Sequence, residues 1–126
     1  DKRFDEAEPQ GLYAVAGAVA YIQGRFEERF GRIMGCPFGN LAAELSTTDE
    51  ELRAHVAAVF DRWEERLTAA CKQVELRDGV EPAQLAQMIL AQIQGQILIA
   101  KVRLRPATEI SAGVRALISA NLKEPG

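Results

Sequence analysis

The 126-residue chain holds one histidine, two cysteines and one tryptophan, and between Pro82 and Ala100 it holds no charged side chain at all. Each scarcity excludes something. With His55 as the sole histidine, a zinc site would need cysteine or carboxylate partners at workable spacing, and neither Cys36 nor Cys71 has them nearby. Two distant cysteines without a signal-peptide pattern make no disulfide framework and fit a reducing compartment, so a cytoplasmic location is expected. A pairing of Cys36 or Cys71 with His55 is the one nucleophilic arrangement left open by spacing. A buried free cysteine commonly acts as a small apolar filler instead, and His55 lies beside an apolar helical stripe, as surface histidines do. No phosphate-cradling glycine loop is present. No catalytic residue, metal or cofactor is therefore expected, and the chain is not read as an enzyme. Basic surplus is also missing: 15 Lys and Arg stand against 18 Asp and Glu, for a net charge of -3. Nothing in that balance points to nucleic acid or to an anionic membrane as partner.

What remains is ordinary globular material, 48% hydrophobic and 26% charged, enough for one domain and too little for two. Four or five helices can be read, and no convincing strand. Pro9 can open the first, along which Leu12, Val15, Val19, Ile22, Phe26, Phe30 and Ile33 recur every three or four residues. Gly11, Gly17 and Gly24 interrupt it, which suggests close approach by a neighbouring backbone or a ligand. Gly35 ends this helix, and Pro37 starts a short one in which Phe38, Leu41 and Leu45 share a face. Thr48-Asp49-Glu50-Glu51 is a capping box. It opens a long helix striped by Leu52, Val56, Val59, Phe60, Trp63, Leu67, Cys71 and Val74, with Arg-Asp-Gly at 77–79 expected to stop it.

The uncharged segment from Pro82 has almost the length of a bilayer span, but five glutamines spread through it make it too polar for lipid, and no membrane partner is expected. A helix with no charged face is buried on most sides. Lys101, Arg103 and Arg105 close it in the manner of cations at a helix C-terminus. After Pro106 a last helix presents Ile110, Val114, Leu117, Ile118 and Leu122. The fold class is all-α, an antiparallel bundle of about five helices.

Two features rise above this background. Phe60 and Trp63, with Phe26, Phe30, Met34 and Phe38, form an aromatic set that is either plain core or the wall of a cavity. Asn40, Glu44, Gln92 and Gln96 fall on or beside inward faces, where solid packing leaves amides short of partners, and an apolar cavity with a few polar groups describes a small-molecule site. The ligand-site residues are accordingly Phe26, Phe30, Phe38, Asn40, Glu44, Phe60, Trp63, Gln92 and Gln96. Secondly, Ile97, Val102, Val114, Leu117, Ile118 and Leu122 offer more apolar surface than one protomer can cover. This predicts a homodimer joined by a four-helix bundle about a two-fold axis.

The segment Gly35–Leu67, "GCPFGNLAAELSTTDEELRAHVAAVFDRWEERL", resembles the C-terminal regulatory domain of the TetR family of bacterial transcriptional repressors. Gly35, Cys36, Gly39, Asn40, Leu41, Ala42, Glu44 and Leu45 match a family pattern residue by residue. Phe60, Asp61, Trp63 and Leu67 fit the helix that follows, and Gln94-Gly95 matches a frequent pair in the family's eighth helix. The resemblance implies that residues 1–126 form an effector-binding and dimerisation domain in which Cys36 is a helix-corner residue. It implies a small hydrophobic or amphipathic effector, and DNA contact only through an N-terminal helix-turn-helix domain that this chain lacks. The opening at Asp1 without a methionine agrees with a fragment of a longer repressor. The alternative is a purely structural helical dimerisation module whose aromatic cluster is solid core.

Overall fold

A computed structural model of the chain describes residues 11–31 and 50–123. Within them stand four helices and no strand: α1 Gly11–Phe30, α2 Glu50–Cys71, α3 Pro82–Arg103 and α4 Thr108–Asn121. The fold is all-α. The expected short helix after Pro37 and the Thr48 end of the capping box lie outside the described residues.

The uncharged segment became α3, and the rest of the bundle is arranged around it. Pro82 occupies its first turn, where a missing N–H costs nothing, and Glu81 before it is extended (φ -89°, ψ 132°). Leu85, Ala86, Ile89, Ile93, Ile97 and Ala100 recur at helical spacing and are all buried. Burying each large side chain among them is worth about 1.5–3 kcal/mol, well above the roughly 1 kcal/mol that Gly95 costs in mid-helix. By length and composition α3 could cross a membrane, with a mean hydropathy of 1.3. Its buried row instead forms the centre of the helical core.

α3 packs against both α2 and α4, and α4 also holds α1, so the helices follow one another in the order α2, α3, α4, α1. α1 and α2 meet over only a short stretch. α4 lends Ile110, Val114 and Ile118, each fully buried, to this core. The Arg115 guanidinium lies 5.4 Å from the centre of the Tyr13 ring and ties α4 to α1 from outside.

Two expectations are corrected here. The buried face of α1 runs through Leu12, Val15, Ala16, Val19 and Gln23, whereas Ile22 and Phe30 are half-exposed. Small alanines, invisible to a search for large apolar residues, set the inward direction. The long helix also stops at Cys71, before residues 77–79. The chain there leaves the helix so that Val74, Leu76 and Val80 can pack on the core. Arg77 N–H donates to the Asn121 carbonyl (3.0 Å) and Lys123 N–H to that of Glu75 (3.0 Å), an antiparallel bridge clasping this loop to the end of α4. Gly79, at φ +86°, makes the turn that follows.

The cations closing α3 divide. Lys101 and Arg103 lie in its last turn, while Leu104 takes the left-handed conformation (φ 56°) just beyond it. Arg105 reaches across Pro106 to Glu109 in a forked pair, Nη2 to Oε1 at 2.6 Å and Nε to Oε2 at 3.1 Å. Hydrogen bonding from Arg105 holds the Glu109 carboxyl below its usual range.

The α1 glycines mark no close approach: no atom lies within 4 Å of where a Cβ would sit on Gly17 or Gly24. The crowded one is Gly113 of α4, where a Cβ would fall 2.5 Å from Gln96 Nε2 and 3.1 Å from Gln92 Nε2. Gly17→Ala should therefore stabilise the domain by about 0.5–1 kcal/mol, the helix-propensity gain with no packing cost. Gly113→Ala must first move two flexible carboxamide ends, so its gain should be smaller. Thermal melts of the two variants check this, and equal gains would contradict the crowding at Gly113.

Candidate functional site

The two aromatic residues of α2 touch each other. Phe60 and Trp63 meet edge to face, with centroids 5.6 Å apart and planes at 63°. Both are half-buried, and Trp63 packs against the core. Phe30 lies in the last turn of α1, 53% exposed, with the Arg29 guanidinium over its ring. Phe26 belongs to α1, but its side chain lies outside the described set, as do Phe38, Asn40 and Glu44.

Gln92 and Gln96 lie elsewhere. Their amides cover Gly113 of α4, and they line an open groove of about 360 Å³ with Met88, Ala91, Gly95, Ile99 and Leu117. No residue of α2 borders this groove. The two glutamines thus stand on the α3–α4 surface, with residues predicted for dimerisation, and apart from the Phe60–Trp63 pair. A helix carrying no charge offers no polar face to fix its rotation, which is why spacing alone assigned them to the wrong neighbour.

The dimer set divides the same way. Ile97, Val114 and Ile118 are at most 4% exposed, so they belong to the protomer's own core and cannot also meet a second chain. Leu117 and Leu122 are half-buried and Val102 is 72% exposed. Apart from Val102, the adjacent row of α3 carries apolar surface that sequence reasoning missed. Met88, Leu98, Ile99 and Val102 are 44–72% exposed, and the small residues Ala91 and Gly95 lie between them. That row was legible as a second i, i+3, i+4 series on the same uncharged helix.

One buried polar group was also missed. Gln23 of α1 is 4% exposed, and its Oε1 has no hydrogen-bond partner. Among the described residues no group of three or more His, Cys, Asp and Glu stands close enough to hold a metal ion. A larger open concavity on the flank of α2, bordered by Asp61, Glu64, Glu65, Thr68, Ala69 and Lys72, is a solvated charged surface.

Comparison with known proteins meets this geometry from outside. The family described as "Tetracyclin repressor-like, C-terminal domain" matches residues 14–117. The chain belongs to that family. Among curated relatives, this tetracyclin repressor-like domain is 34% identical over 68 residues to an uncharacterised HTH-type transcriptional regulator of the lacX 3′ region in Lactococcus lactis subsp. lactis. That alignment covers 54% of this chain and 35% of the relative. It is 32% identical over 82 residues to the transcriptional regulator AcuR of Cereibacter sphaeroides, covering 62% of this chain and 37% of the relative. The domain thus spans little more than a third of the length of these regulators. No solved structure matches it significantly.

In this domain Cys71 is completely buried, and burial pushes its thiol up to about 11. At pH 8 only about one molecule in a thousand would carry the thiolate, the form that reacts. In a Cys36→Ser variant, a disulfide reagent at pH 8 should label Cys71 only after denaturation. Stoichiometric labelling of the native variant within minutes would contradict the buried placement. Cys36 lies outside the described residues.

Proposed function

We propose that this chain is the effector-binding and dimerisation domain of a bacterial TetR-type transcriptional repressor. It takes a small hydrophobic or amphipathic molecule and pairs with a second copy. Ligand binding then relieves DNA binding by a helix-turn-helix domain outside this chain, by altering the spacing of two recognition helices over the operator. The reading carries no cofactor and no membrane step, and it is cytoplasmic, as suits a transcriptional regulator.

Family membership over residues 14–117 supports the regulatory role. The observation that carries the dimer is the apolar row of Met88, Leu98, Ile99 and Val102 beside the groove between α3 and α4. With Ala91 and Gly95 between the large residues, the row lets a second helix approach closely, and a contiguous exposed apolar face on a soluble chain marks an association surface. The effector site is proposed beside the Phe60–Trp63 pair of α2; α2 and α1 touch only over a short stretch.

Light scattering tests the dimer. The parent chain should be dimeric, and Ile99→Glu or Val102→Glu should weaken the dimer by several kcal/mol by placing uncompensated charge in the seam. Because both positions are exposed in the protomer, helicity should persist in the monomer. A monomeric parent, or variants as tightly dimeric as the parent, would refute it. Trp63 is the only tryptophan and reports the site unlabelled. A panel of hydrophobic compounds should contain some that change its emission saturably. Trp63→Ala, followed by calorimetry, should weaken their binding by about 1–3 kcal/mol. A panel without effect would favour the purely structural module.

A further inference from the structure

Gln23 is the only buried polar side chain among the described residues, and it stands in the inward row of α1, following Leu12, Ala16 and Val19 at helical spacing. Its Oε1 accepts no hydrogen bond. A buried carbonyl without a partner opposes folding, and native structures rarely keep one without a use. A trapped water is a poor answer, since buried waters need two to four polar partners. The other buried side chains described in this core are Leu, Ile, Val, Ala and Cys. What suits the position is a molecule with an apolar body that brings its own donor.

We propose, resting on the effector-site reading above, that Gln23 is the polar anchor of that site and that its Oε1 accepts a hydrogen bond from a hydroxyl or N–H of the effector. The chemistry narrows the ligand class. In the orientation the structure gives, Oε1 faces inward, where a carboxylate would meet it with like polarity. An ammonium would surrender its hydration for one neutral acceptor. The effector is a neutral alcohol, phenol or amide with a hydrophobic skeleton.

The test uses the whole chain and two matched probe pairs, 4-ethylphenol against 4-ethylanisole and 1-octanol against 1-methoxyoctane. In each pair methylation removes the donor and keeps the skeleton. Calorimetry should show, for at least one pair, the hydroxyl probe binding about tenfold tighter, the worth of one hydrogen bond. Gln23→Met, close in shape, should abolish that preference, leave the ether's affinity within about twofold, and raise the melting temperature of the ligand-free protein. Gln23→Leu provides a second apolar replacement. If the ethers bind as well as their parent alcohols, or the preference survives both replacements, Gln23 is not the anchor although the effector site stands. If no probe binds saturably, the effector-site reading fails and this proposal fails with it.

Discussion

Everything in this domain answers to one constraint: a 22-residue helix whose first 19 residues bear no charge must be covered. Such a helix has no face that water solvates well, so each side needs a neighbour of its own. α2 covers one side and α4 another, through the row from Leu85 to Ala100. The covering helices are themselves amphipathic, with Arg53, Arg62 and Glu65 of α2 left to solvent. The last side, that of Met88, Ile99 and Val102, has no cover among the described residues, and this remainder supports the proposed second chain. The core and the proposed interface are two adjacent rows of one helix, and a single geometric shortfall accounts for both the fold and the apolar surplus.

The same constraint decides where amides can lie. Gln92 and Gln96 reach out of the row to cover Gly113, where partial exposure leaves their amides open to water. The glycine leaves them room, since a methyl at that position would meet the Gln96 amide at 2.5 Å and make it shift. Gln23 shows the opposite case. On α1 the row continues inward past Val19, and the glutamine is carried to 4% exposure without an acceptor's partner. A sequence free to vary replaces such a residue by Leu or Met at a gain in stability, and positions that keep a destabilising polar group are where function is sought first.

These particulars also mark how far the sequence could be read. The helices were legible because their periodicity is strong: Val56, Leu67 and Cys71 of α2 and Ile110 of α4 lie inward as spacing predicts, whereas Val114 and Ile118, assigned to the dimer, belong to the core. Fold class and family were therefore within reach before any coordinates. Rotation about the helix axis was not. α3 lacks a polar face from which to orient itself, so Ile97 was assigned to the dimer and belongs to the core. On α1, Ala16 and Ala18 turn the inward face away from Ile22 and Phe30. Gly113 and Gln23 carried no signal in sequence at all, because crowding and missing partners exist only between helices.

The packing order constrains how any signal could pass through the domain. α1 is bound to α4 by buried Leu12, Val15 and Val19 and by the Arg115–Tyr13 contact, while it touches α2 only briefly. α2 is bound to α3, and its exit loop is clasped to the end of α4 near Leu122. The weakest junction in the described bundle is therefore α1 against α2, and the most extensive is α2 against α3. A molecule wedged at the weak junction would separate α1 from α2 at little packing cost, whereas moving α4 against α3 would break the core row itself. On the proposed reading any adjustment to a ligand falls at the α1–α2 junction, while α1 stays bound to α4. Dense cores respond by discrete repacking and not by gradual strain, so motion concentrates where contacts are fewest.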